Sequence, residues 1–356
     1  MESTVALQWA YPLKRQSAYA TVQADGDLTQ SHPFEGADFG EHTPNMVDNA
    51  ALFGKGHEFA TQLYLLSWDT RFRRTAFLTS KIAGWAFAFH TGKVTTTGPV
   101  LTAYTHVYEY QDHTGSGYYG SGRQLPVFTV VEKATSGLIR QFPSMLIGSV
   151  ELTGNLNDFC RIAMDLVGSG KMTRLGSFTF PTGSIAEEGV RLRNTSMTFE
   201  VGEESSLQDV SCDIRSWRFR SEYALAEEDG YCPGSGYLVD GDPASGQIRN
   251  RLEFLRRAVM LEWVVRASSS NTIFTQLEGL VDLSAQILLE GDEITPGVPH
   301  SVAINVPRLK YRAIPIGSDG DIVTYSVTTV VMYDDTLANP FELTVVNTDT
   351  GYLVSS

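Results

Sequence analysis

With 356 residues, the chain can bury a substantial core without disulfide or metal staples, and its length fits two domains or one elaborated domain. Its 27 basic and 41 acidic side chains leave a net charge of −14, which opposes nonspecific attachment to phosphate backbones and sets ordinary nucleic-acid binding aside. The opening residues, MESTVALQWAYPLKR, lack a basic region followed by an apolar core, and no apolar run approaches the roughly 18 residues of a membrane span, so neither a signal peptide nor a membrane anchor is expected.

Residues 1–65 are rich in Gly, Asp, His and Pro, show little periodicity, and read as an N-terminal arm or long loop with short strands at most. RFRRTAFLTSKIAGWAFAF (71–89) is the best helix candidate, because Phe72, Ala76, Phe77, Ile82, Ala83, Trp85 and Ala86 can share a broad apolar face and Gly92 follows as a stop. Strands dominate after it. AYTHVYEY (103–110) and LPVFTVVEK (125–133) flank the glycine-rich loop HTGSGYYGSG.

GSVELTGNLNDFCRIAMDLVGSG (148–170) reads as two alternating strands folded back around a polar turn. Val150 and Leu152 face one side of the first strand, with Ser149, Glu151 and Thr153 on the other; Cys160, Ile162, Met164 and Leu166 form the apolar face of the second, with Arg161 and Asp165 opposite. IRSWRFRSEYAL (214–225) likewise sets Trp217, Phe219 and Tyr223 against Arg218, Arg220 and Glu222. The irregular loop 227–246 is the expected boundary between a first part, 66–226, and a second, 247–356.

In the second part, LRRAVMLEWVVRAS (255–268) alternates as a long strand, although a helix competes for part of it. SNTIFTQLEGL (270–280) is a short helix candidate capped by Ser270 or Asn271. Further strands are expected at 281–291, 301–307, 321–334 and 341–347, with Gly320 taking positive φ in the GSDGD turn. The fold class is therefore mainly β, a β-rich α+β chain forming an antiparallel sandwich or barrel with one longer and one short helix.

No catalytic constellation emerges. GSGKMT (168–173) has Asp165 where a phosphate loop needs glycine and Met172 where it needs Ser or Thr. HEFAT (57–61) lacks the second histidine of a zinc protease, and no GxSxG elbow occurs. His106 and His113 read as hydrogen-bonded structural histidines rather than ligands. Cys160, Cys212 and Cys232 have no metal spacing, so reduced thiols in a cytoplasmic setting are expected, with one disulfide as the alternative. No enzyme activity, cofactor or metal is expected.

Four ordered stretches carry a resemblance: SKIAGWAFAFHTGKVTTTGP with AYTHVYEY; LPVFTVVEK with GSVELTGNLNDFCRIAMDLVGSGKM; SVAINVPRLKYRAIPIGSDGDIVTYSVTTVVMYDD; and ELTVVNTDTGYL. As an ordered set spanning most of residues 80–353, they resemble the tail tube proteins of long-tailed bacteriophages, in the larger branch with an elaborated or duplicated tube fold. The resemblance implies a structural virion protein whose copies form rings, hexameric or pseudo-sixfold from three copies, with sheets joined into an inner barrel. Stacked rings would conduct DNA during ejection without specific binding, in contact with tape measure, terminator and distal tail proteins and with no membrane. Assembly would occur in the host cytoplasm.

On this reading Ser149, Glu151, Thr153, Arg161, Asp165, Glu262 and Arg266 are candidate lumen or interface positions in an acidic passage, with plain solvent exposure as the alternative for each. A competing function is a β-sandwich carbohydrate-binding adhesin or baseplate-like module using exposed aromatics such as Tyr118 and Tyr119.

Overall fold

The computed structural model describes all residues except 1–7, 20, 33, 36–38, 49–61, 113–118, 120–121, 136, 182–190, 205, 228–229, 232–245, 250, 268–271 and 355–356. HEFAT, His113, Tyr118, Glu187–Glu188, Cys232 and most of the HTGSGYYGSG loop lie outside the described residues.

In chain order the elements are β1 (Gln8–Tyr11), β2 (Gln30–Ser31), β3 (Glu41–Asp48), β4 (Leu63–Phe77), α1 (Ser80–Thr91), β5 (Gly92–Val100), β6 (Ala103–Tyr110) and β7 (Phe128–Thr135). There follow β8 (Leu138–Asn155), β9 (Arg161–Val167), β10 (Thr173–Leu175), β11 (Met197–Glu203), β12 (Ser206–Asp209) and β13 (Ile214–Leu225). The last third holds β14 (Phe254–Arg266), α2 (Thr272–Glu278), β15 (Leu283–Thr295), β16 (Val298–Ala313), β17 (Ile316–Asp319), β18 (Ile322–Val331) and β19 (Glu342–Asn347). The fold is mainly β and the strand ladders are antiparallel, as the alternation requires.

The ladders resolve into two large sheets, joined where the end of β16 pairs with β18 from Leu309–Val331 to Ala313–Thr328, and one small one. The first large sheet runs β3–β4–β9–β8–β13–β14–β18–β17. The second runs β5–β6–β19–β16–β15–β11–β12. The small sheet runs β2–β1–β7–β8–β10, so the long strand β8 belongs to it at its start and to the first large sheet at its end. The loop 227–246 joins β13 to β14, which pair along their whole length, so hydrogen-bonded sheet continues across it.

The helix expected over 71–89 is half strand. Residues 71–77 alternate, with Phe72, Arg74 and Ala76 buried and Arg71 and Arg73 exposed, and they pair with β9 from Val167 to Arg161. The helix begins only at Ser80, where the Thr79 hydroxyl accepts the Ile82 N–H, and ends at Gly92, whose φ of 77° closes it in the left-handed conformation. Almost every α1 residue is buried, because it packs against β8 on one side and β5, β6, β16 and β19 on the other. Apolar residues all round the helix looked like one broad face in sequence; burial from both sides is the reason they are there.

The N-terminal segment also differs from an arm. Trp9, Ala10 and Tyr11 are buried, and Trp9 and Tyr11 meet Trp85 of α1 at ring separations of 5.6 and 4.3 Å. Such aromatic packing holds β1 against the core beyond simple area burial. The strand reading of 255–268 wins over the competing helix, since β14 is extended from Phe254 to Arg266 with Leu261 and Trp263 inward. Gly320 takes φ 60° in its hairpin turn, as that turn geometry demands.

Candidate assembly surface

The residues selected by alternation come together on one face of the first large sheet. Thr153 of β8 stands opposite Arg161 of β9 and Arg218 of β13, and Arg218 stands opposite Glu262 of β14. One same-face step along, Glu151 pairs with Arg220, and a step beyond that Asp165, Ser149 and Glu222 form a further cross-strand row. Arg266 shares the face four residues beyond Glu262, opposite Thr324. The reverse face is core: Val150, Leu152, Ile162, Phe219 and Leu261 are all fully buried.

This face is not acidic: its carboxylates stand among arginines. Arg218 binds Glu151 through Nε and Nη2 at 2.9 and 2.5 Å and lies 3.7 Å from Glu262. Arg220 binds Glu222 at 2.7 Å, and Arg161 binds both Asp158 at 2.6 Å and Glu35 at 2.9 Å. Arg73 approaches Asp165 at 3.7 Å, while the Ser149 hydroxyl donates to the same carboxylate at 2.7 Å. The hydrogen bond from Arg161 holds the Asp158 carboxyl below its usual range, and the bond to Glu151 raises the Arg218 guanidinium further. Fixed charges of both signs neutralise one another in place.

Arg218 and Arg220 are the members that the hairpin 148–170 by itself does not reveal. Alternation puts them on a polar face, but only the pairing of β13 with β8, about 65 residues away in sequence, makes them the partners of Glu151. Arg266 stands apart from the ion pairs described and lines a cavity of about 310 Å³ beside α2 with Trp263, Tyr311 and Tyr325.

The sheet ends in two open margins. Among the described residues β3 pairs only with β4, and β17 only with β18. The β3–β4 ladder runs out into a two-stranded ribbon bearing Met46, Val47, Leu63, Tyr64 and Leu66, each between 45% and 61% exposed. An isolated ribbon is marginal in water, and clustered apolar side chains of this kind mark a contact surface.

Other motifs resolve as structure. The GSGKM segment precedes the short strand β10 rather than a helix, and Gly168 donates its N–H to Thr70 O while the Ser169 hydroxyl donates to Pro143 O. His106 sits between Thr96 Oγ1 at 2.9 Å and Asn347 Oδ1 at 3.1 Å, a structural histidine. Tyr119 is half-buried, its hydroxyl donating to Gln16 O and accepting from Val127 N–H, so it does not present a free aromatic platform. Ser221 and His90 lie 2.6 Å apart like a nucleophile and base, yet both are fully buried, with Tyr110 rather than a carboxylate as the further partner. Cys160 is a buried free thiol pushed up to about 12 by desolvation, and Cys212 is an exposed free one. Among the described residues no three potential ligands gather to hold a metal, and no helix is long and apolar enough to cross a membrane. No model of a known protein family matches this chain, and no curated protein sequence matches it.

Proposed function

We propose that the chain is a self-assembling structural subunit of a bacteriophage tail tube. The observation that carries this reading is one continuous antiparallel sheet with a buried face, a charge-neutralised polar face and, among the described residues, an edge strand at each end that pairs on one side only. Unpaired margins invite strand addition by other copies, and joining them into a closed wall removes the edges altogether.

In such a wall the polar face would line the bore. A passage for DNA has to avoid holding a polyanion, and arginines already bonded to neighbouring carboxylates are poor replacements for the cations condensed on the phosphates, so little counterion release favours binding. Stacking of rings is a head-to-tail contact that extends without limit, and the apolar β3–β4 ribbon offers the surface for it. The tube would sit in the virion, with tape measure, terminator and distal tail proteins at its inside and ends.

Negative-stain microscopy of the purified protein over a concentration series tests the reading. Rings or tubes with an axial bore are expected. A protein that stays monomeric at every concentration, with tail partners present, would refute it.

A further inference from the structure

The cavity of about 310 Å³ beside α2 is walled by both large sheets, by β14 and β18 of the first and by β11, β12 and β16 of the second. Alternation along β14 turns Trp263 toward the interior, where its ring meets Phe199 of β11 at 5.3 Å and Tyr311 of β16 at 5.9 Å. Tyr325 of β18 completes the aromatic floor, its ring 5.2 Å from Phe274 of α2. The volume stands at the lower end of the roughly 300–1,000 Å³ of small-molecule sites, which suits a single ring.

The floor holds two unused donors. Trp263 is 3% and Tyr311 6% exposed, yet among the described residues neither the indole N–H nor the phenol hydroxyl has a hydrogen-bond partner. Burial pushes the Tyr311 phenol up, with no bond to offset it. The Trp9 indole N–H is also unbonded, but it is sealed in the core, whereas Trp263 and Tyr311 line a cavity. Buried polar groups normally find partners, and a ligand oxygen at this floor would supply one to each.

The mouth has the opposite character. Glu203, Asp213 and Arg266 line it as exposed side chains, none of them in an ion pair among the described residues, together with the amides of Gln208 and Gln276. A free anion there meets two carboxylates, a cation meets the guanidinium, and a hydrocarbon leaves the floor donors unbonded. A neutral ring bearing hydroxyls meets every demand. Each hydroxyl both donates and accepts, so some oxygens can accept from Trp263, Tyr311 and Arg266 while other hydroxyls donate to the carboxylates and amide oxygens, and the C–H face of the ring rests on the aromatic floor.

We infer that this cavity is a binding site for a single neutral sugar ring. The site is complete within one copy, so it does not rest on the assembly reading, and it uses no aromatic of the loop at 113–122.

The test titrates the full chain with the methyl glycosides of glucose, galactose, mannose and N-acetylglucosamine, followed by tryptophan fluorescence and saturation-transfer NMR. At least one is expected to bind with a millimolar dissociation constant and to shift the emission. Tyr311→Phe removes a hydroxyl that the protein itself does not bond, and is expected to weaken that glycoside about fivefold to tenfold with the melting temperature unchanged. Ser206→Trp, at the exposed mouth, is expected to abolish binding. Failure of all the glycosides up to tens of millimolar would overturn the site, as would binding that neither variant alters. A lower melting temperature for Tyr311→Phe would show that the hydroxyl is already bonded and remove the premise. Benzoate or tetramethylammonium binding in preference to every glycoside, and lost in Ser206→Trp, would overturn the neutral ligand.

Discussion

Arg218 of β13 donates two hydrogen bonds to a single carboxylate oxygen of Glu151 on β8, bridging two neighbouring strands in the middle of the first large sheet. The guanidinium is 39% exposed, so the pair adds little to stability; solvent-exposed pairs are generally worth under about 1 kcal/mol. Its consequence is electrostatic: a positive group in the middle of a proposed bore is already occupied.

Removing the carboxylates should therefore convert the face into a polyanion binder. Glu151→Gln, Glu222→Gln and Glu262→Gln together leave Arg218 and Arg220 without their partners. Fluorescence anisotropy with duplex DNA is expected to show binding that weakens steeply with salt, against none for the unaltered protein. A variant as inert as its parent would reject this account of the face.

Glu132 is fully buried between Arg74, itself 1% exposed at 2.6 Å, and Arg140, and it also accepts the Gly40 N–H at 3.1 Å. Arg74 lies over the rings of Trp9, Phe34 and Phe72 at 5.8, 5.8 and 5.1 Å. Glu132→Ala strands a buried guanidinium and is expected to lower unfolding free energy by about 3–5 kcal/mol. Urea denaturation of the monomer measures it; a loss under about 1 kcal/mol would show that Arg74 finds other partners.

Gly84→Ala separates helix propensity from packing. In an exposed helix the change should stabilise by about 1 kcal/mol. In α1 the added Cβ would lie 2.5 Å from Tyr352 Oη and 3.0 Å from Tyr108 Oη, inside a core closed on both sides. Overpacking wins: the expected net loss is about 1–3 kcal/mol, read as a lower melting temperature. An unchanged or higher value would mean that the two tyrosines move aside freely.

Acid sensitivity follows from buried histidines. Loss of water around His90, which faces Ile147 O and Ser221, depresses its imidazole from 6.5 to about 4 despite the favourable carbonyl contact. The unfolded chain binds the proton near pH 6.5 and the folded chain only near 4, so stability falls as pH drops through that window and this group adds nothing below it. The integrated loss is about 3 kcal/mol. His42, His106 and His300 are lowered for the same reason and steepen the same decline. Urea midpoints from about pH 7 to about pH 4 should fall for the native chain and fall less for His90→Gln. Equal slopes would remove His90 as a contributor.

Most strands were legible because one face of each meets core and the other does not. The ranges 103–110 and 214–225 coincide with β6 and β13, and 341–347 differs from β19 by one residue. The errors have a common cause. In 71–89 a strand and a helix adjoin, and Phe72 and Ala76 satisfy both periods until β9 is known to pair there. The tryptophan and tyrosine of β1 gave no period, since a four-residue strand is too short to show one.

The polar face followed the same division. Alternation alone determined that Ser149, Glu151, Thr153, Arg161, Asp165, Glu262 and Arg266 point away from apolar neighbours, because side-chain direction in a strand is a local property of the backbone. Only the tertiary structure decided that these residues lie on one sheet, that arginines of β13 stand among their carboxylates, and that β3 and β17 are the edge strands of that sheet among the described residues. Strand partners are chosen by packing and register between segments far apart in the chain, and no window of sequence contains both members of a pair.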